Sequence, residues 1–155
     1  LIKSIELRLK RRKAPDKICL SDHTLRASWL QELVPMDSEG LLANPHLTDL
    51  AGHLAESTLG YFLASVPSLD VAHFPARGPE PEVDFVITIG THRIPIEVKY
   101  RKRIDPHEDT RGLRAFLEKT VYNAPFGLLV TLEDDLRIPD PRIIPISLSS
   151  FLWTR

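Results

Sequence analysis

At 155 residues the chain fits one domain, or one domain with a small appendage, and is long enough to bury a sizeable core. Hydrophobic residues at 43% and charged residues at 26% are ordinary for a globular protein, and a net charge of -1 excludes a histone-like blanket attraction to nucleic acid while leaving room for local basic patches. No apolar run is long enough to span a bilayer, no signal-peptide pattern opens the chain and the single Cys19 cannot form an internal disulfide, which together point to the cytoplasm.

The first residue is Leu1 in place of Met, so a piece of a longer polypeptide is expected. Residues 2–9 alternate Ile5, Leu7 and Leu9 against Glu6 and Arg8, the period of a half-buried strand. The basic run Lys10, Arg11, Arg12 and Lys13 has no interleaved aromatics and reads as a solvated hairpin tip before it reads as a phosphate-binding stripe. Pro15 and Asp16 turn the chain, and Ile18, Cys19 and Leu20 are expected to form another short strand. Ser21 and Asp22 can cap a helix over residues 25–33, with Leu25, Trp29, Leu30 and Leu33 at helical spacing and Pro35 beyond its end. Residues 36–44, polar and broken by Gly40, suit a surface connection.

Asn44 and Pro45 start a long helix by cap chemistry and by the tolerance of proline in a first turn. Over residues 46–66 the set Leu47, Leu50, Ala51, Leu54, Tyr61, Phe62 and Val66 predicts a broad buried stripe. Glu56 lies between Ala55 and the small residues Ser57 and Thr58, which allow close approach to a sheet, and this makes it a candidate carboxylate. His53, one turn earlier, has neither a HExxH pattern nor a cysteine partner, so a packed or solvated histidine is the reading there. Pro67 closes the helix, residues 71–74 make a short strand, and residues 75–81 form a proline-rich loop containing Gly78.

Residues 82–101 carry the strongest pattern. Val83, Phe85, Val86, Ile87 and Ile89 are β-branched or aromatic, Gly90 and Thr91 break the run, and Ile94, Ile96 and Val98 resume it, so a hairpin is predicted. Ile94, Ile96, Val98 and Tyr100 then share one face while Glu97, Lys99 and Arg101 share the other, and Asp84 reaches the same neighbourhood from the paired strand. Carboxylates beside one amine are what phosphodiester hydrolysis uses: the acids hold a divalent metal, and the cation offsets charge at phosphorus. Residues 102–110 are expected as a mobile flap with solvated His107, Glu108 and Asp109. Thr110 would cap a helix bearing Leu113, Phe116, Leu117 and Val121, ended by Pro125. Residues 126–132 read as a central strand buried on both sides, residues 133–141 as an acidic, proline-rich excursion, Ile143, Ile144 and Ile146 as a last strand, and residues 147–153 as a closing helix.

From Asn44 onward the predicted order is helix, three strands, helix, strand, strand, with Glu56 on the first helix, Asp84 on the second strand and Glu97-Val98-Lys99 on the third. This resembles the PD-(D/E)XK nuclease fold, an α/β core with a central mixed sheet flanked by helices, as in restriction endonucleases; Val83 stands before Asp84 where the motif's name has proline. The phrases EVDFVI and IPIEVKYR, with GHLAESTLGYFL upstream and APFGLLVTLE downstream, are similar to the C-terminal domain of unknown function of prokaryotic AAA+ type P-loop ATPases.

The resemblance implies a connecting segment over residues 1–43, the end of a winged-helix-like region, and a restriction-endonuclease-like domain over residues 44–155. It implies that Asp84, Glu97 and the backbone carbonyl of Val98 bind Mg²⁺ or Mn²⁺, that Glu56 orients a water at the metal, that Lys99 aligns or helps deprotonate it, and that Arg77 and Arg101 contact flanking phosphates. DNA and an ATPase domain of the same polypeptide are the implied partners, and the oligomeric state is left open, with a dimer as the one assembly considered. A metal-dependent deoxyribonuclease is the first reading; a catalytically silent nucleic-acid- or protein-binding module is the alternative, and a structural ion-pair network a third. The chain has no Walker A pattern, so ATP hydrolysis would belong to the partner domain.

Overall fold

The computed structural model describes residues 16–76 and 78–154, together with the backbone of residues 3–4. The rest of the strand expected over residues 2–9, the basic run Lys10, Arg11, Arg12 and Lys13, and Arg77 lie outside the described residues. In chain order the elements are β1 (Lys3–Ser4), α1 (His23–Leu30), α2 (Ser38–Ala43), α3 (Thr48–Ser65), β2 (Asp70–Phe74), β3 (Val83–Ile89), β4 (His92–Lys99), α4 (Arg111–Leu117), β5 (Gly127–Thr131), β6 (Ile143–Ser147) and α5 (Leu148–Leu152).

Alternating side chains make β3 and β4 a hairpin in which Phe85 faces Ile96, Ile87 faces Ile94 and Ile89 faces His92. Its turn places Gly90 at φ 62, the left-handed region where a β-carbon is strained. The sheet runs in the order β1-β2-β3-β4-β5-β6. It is mixed: β2, β3 and β4 are antiparallel to one another, whereas β1 is parallel to β2, β5 to β4 and β6 to β5. Parallel neighbours need a crossover, and α4 supplies the one between β4 and β5.

Each face of the sheet has its own apolar layer. Phe85, Ile96 and Val98 pack with Ala55, Leu59 and Leu63 of α3 and Phe151 of α5. On the opposite face Val86 and Leu129 pack with Leu113 and Phe116 of α4 and with Tyr122, whose ring stacks on Phe116 at 4.2 Å between centroids. Each fully buried aliphatic or aromatic side chain contributes roughly 1.5–3 kcal/mol, so these layers fix the hairpin against both sets of helices.

Several elements differ from expectation, each for a local reason. The buried stripe of α3 is Ala51, Ala55, Leu59, Gly60 and Leu63, while Tyr61 is exposed and Leu47, Leu50, Leu54, Phe62 and Val66 are half-buried. The helix meets the sheet through small residues: a β-carbon at Gly60 would run into Cys19 and the Phe85 ring. Asp22 caps α1 by accepting from the Thr24 and Leu25 amides, yet the helix stops at Gln31, whose φ is 50, and Leu25, Trp29, Leu30 and Leu33 are exposed. Residues 18–20 form no strand, because α3 lies beside them and the Leu20 amide donates to Ser57 Oγ at 2.7 Å. The surface connection contains α2, capped by Asp37, whose Oδ1 accepts from the Gly40 amide. Residues Pro45–Leu47 form a 3-10 turn leading into α3. α4 ends at Leu117 well before Pro125, and the Thr110 hydroxyl does not cap it but donates to the Pro106 carbonyl at 2.6 Å.

Candidate functional site

Asp84 on β3 is fixed at one oxygen and offered at the other. Its Oδ2 accepts the Val98 amide of β4 at 2.9 Å, and its Oδ1 lies 3.2 Å from the ammonium of Lys17. The same ammonium donates to Glu56 Oε1 from α3, lies 3.6 Å from Glu82, and sits 5.0 Å from the centroid of the Phe85 ring. Burial works against the charged form of Lys17, but the charges of Asp84, Glu56 and Glu82 and the hydrogen bond to Glu56 outweigh it and raise its pKa. Beside this cluster opens a cavity of about 310 Å³ whose walls include Glu56, Asp84, Val98, Lys99, Arg101 and His53.

Glu97 lies behind the cavity wall. It is 9% exposed, its Oε1 accepts from Lys99 Nζ at 2.6 Å, and its Oε2 is buried without a hydrogen-bond partner among the described residues. Burial first, and then the negative charge of Asp84, raise its pKa to about 8; Lys99 pulls the other way and loses. Lys99 itself titrates above the ordinary lysine value, since Glu97, Asp84 and Asp109 outweigh the effect of its burial.

Of the residues picked out in the sequence, Glu56, Asp84, Val98, Lys99 and Arg101 line one cavity, and Glu97 backs it from the α4 side without being part of the wall. Arg77 lies outside the described residues. Arg101 reaches the cavity, and one amino group of its guanidinium is paired with Asp109 Oδ1. Asp109, expected in solvent, is 8% exposed and also accepts the Asp105 amide at 2.8 Å. Residues 102–110 are accordingly a pinned turn, with Asp105 accepting the His107 and Glu108 amides and Arg114 donating to the His107 carbonyl. His53 is exposed, its Nδ1 3.9 Å from Glu56 Oε2.

Sequence reading missed Lys17 and Glu82. Glu82 carried a signal, since it stands two residues before Asp84 at the start of the stretch with the strongest pattern. Lys17 carried none: it reaches Glu56 across 39 residues and Asp84 across 67.

The donors match a hard divalent ion in kind, being carboxylate oxygens around a solvent-reachable cavity with one buried acid oxygen lacking a partner. Among the described residues no three His, Cys, Asp or Glu side chains are grouped closely enough to hold a metal ion, and the Lys17 ammonium stands among Glu56, Glu82 and Asp84. Among the same residues no helix is long and apolar enough to cross a membrane.

Comparison with curated proteins and with solved structures returned no match. A family model does match, over residues 52–150, taking in Glu56, Asp84, Glu97 and Lys99 but not Lys17. Since the match spans more than half of the chain, from the second turn of α3 into α5, the protein belongs to the family described as the domain of unknown function DUF4143.

Proposed function

We propose that this domain hydrolyses phosphodiester bonds in DNA with Mg²⁺ or Mn²⁺, on a restriction-endonuclease-like core of the PD-(D/E)XK kind. The order α3-β2-β3-β4-α4-β5 is consistent with that core, and Asp84 with Glu97-Val98-Lys99 with its motif. The observation that carries the reading is the meeting of Glu56, Asp84 and Lys99 in one open cavity, backed by the buried, unpartnered oxygen of Glu97.

Asp84, Glu97 and the Val98 carbonyl would hold the ion, which when bound polarises the phosphate and makes water a better nucleophile. The Val98 amide keeps Asp84 aimed by occupying its second oxygen. With its proton held by Glu97 and Asp84, Lys99 acts as a charge against the phosphate and the departing oxygen and not as a base. Glu56, half-buried at the cavity wall, is left to orient the water. The chain lacks a Walker A pattern, and we read it as the cytoplasmic C-terminal part of an AAA+ type ATPase whose nucleotide site lies elsewhere in the polypeptide.

The test is nicking of supercoiled plasmid by the purified chain in Mg²⁺ or Mn²⁺. Cleavage by the wild type, at least 100-fold reduced in Asp84→Ala and Lys99→Ala variants of unchanged circular dichroism, is expected. One observation favours a silent binding module instead: Lys17 and Lys99 already neutralise oxygens of Glu56, Asp84 and Glu97. DNA retention without cleavage under either metal selects that second reading.

A further inference from the structure

Arg101 belongs to two cavities. It lines the one that holds Glu56 and Asp84, and together with Thr48 it also lines a second, of about 270 Å³, between the start of α3 and the chain that leaves β4. Leu41, Leu42 and Pro45 are the apolar part of this second wall, and Arg101, Lys102 and Arg103 are its charged part, with no carboxylate among the lining residues. The cavities adjoin and differ in sign.

The turn that carries these cations is anchored on both sides. Before it, the buried Tyr100 donates its hydroxyl to the Met36 carbonyl at 2.7 Å; beyond it, the Asp105 amide is held by Asp109, whose other carboxylate oxygen takes one amino group of Arg101. Lys102 and Arg103 lie between the anchors, exposed, and neither has a carboxylate partner among the described residues. The acids around them are engaged elsewhere, since Asp109 has both oxygens occupied and Asp37 accepts the Gly40 amide. Cations fixed on a pinned turn and left unpaired meet a polyanion at little ordering cost. The net charge of -1 means that such attraction has to be local. The apolar wall narrows the kind of polyanion: a bare phosphate has no use for Leu42 and Pro45, whereas a sugar between two phosphates does.

We infer that this second cavity takes the DNA strand beside the linkage to be cleaved, with Lys102 and Arg103 on its backbone phosphates, Leu42 and Pro45 against the intervening sugar, and the strand running on into the cavity of Asp84. This rests on reading the domain as one that acts on DNA. It routes the strand past the start of α3, and it makes the contact one that positions DNA without reading its bases.

Fluorescence anisotropy of a labelled DNA duplex with a single-stranded end, measured across a range of salt in EDTA so that the strands stay whole, tests it. Each phosphate contact contributes about one unit to the slope of log affinity against log salt. Lys102→Ala and Arg103→Ala are each expected to make that slope shallower by about one unit. Lys102→Arg keeps the charge and should keep the wild-type slope, as should Arg93→Ala at the opposite end of β4 from Lys99. An unchanged slope in either alanine variant at 102 or 103, an equal loss in Arg93→Ala, or wild-type nicking of plasmid without measurable binding in EDTA overturns the inference and leaves the proposed function standing. A wild type that neither binds nor nicks DNA overturns both.

Discussion

Glu97 is the residue where burial and like charge compete most directly with an ion pair. Its pKa lies above the unfolded value of 4.5, at about 8, so the folded state holds this proton more tightly than the unfolded chain does. Its contribution to stability is therefore fully present below pH 4.5 and is lost as pH rises toward 8. A tenfold difference in proton affinity between the two states is worth roughly 1.4 kcal/mol. Urea denaturation across that interval should show the wild type losing a few kcal/mol more than Glu97→Gln, which keeps an acceptor for Lys99 and cannot ionise. Parallel curves for the two proteins would refute the assignment. At this scale the sequence disclosed Asp84, Glu97 and Lys99 through strand alternation and the spacing Glu97-x-Lys99, and Glu56 through the small residues beside it on a helix, all of them local facts. Lys17 was invisible because its partners lie on α3 and β3, brought to it only by the fold.

Elements were legible where local chemistry decides them and obscure where a neighbour does. Asp22 as a cap and Gly90 in the hairpin turn follow from backbone rules, and both are found, whereas Pro45 opens a 3-10 turn ahead of α3 and the Asn44 side chain donates to the Gly40 carbonyl in place of capping. The face that α3 buries follows instead from how near the sheet lies, which periodicity does not report. α4 repeats the lesson at Gly112: a β-carbon there would overlap the Glu82 carbonyl oxygen, backbone that cannot swing aside. Gly112→Ala should therefore push α4 off β3 and lower stability by about 1–3 kcal/mol, read as a drop in the urea midpoint. An unchanged midpoint would mean that the helix is not seated there. The apolar spacing of α1 suggests a face turned to a core, whereas none of its residues is buried and Trp29 is 88% exposed. Helical spacing reports its conformation but says nothing of what it faces.

At the scale of the whole molecule the helices hold the open end of the β3–β4 hairpin between α3 and α4, and the acidic cluster sits at that end. The predicted αβββαβ succession is the observed one, since each crossover and hairpin left a local mark in turns, caps and apolar runs. The pairing of β5 with both β4 and β6 left only an unbroken apolar run. The central claim is that this end of the sheet grips a divalent cation. Crystals of the chain grown in excess Mn²⁺ and measured at the manganese absorption edge test it most directly. The account predicts an anomalous peak within coordination reach, about 2.2 Å, of Asp84 and Glu97 oxygens. Well-ordered carboxylates with no peak between them would contradict it.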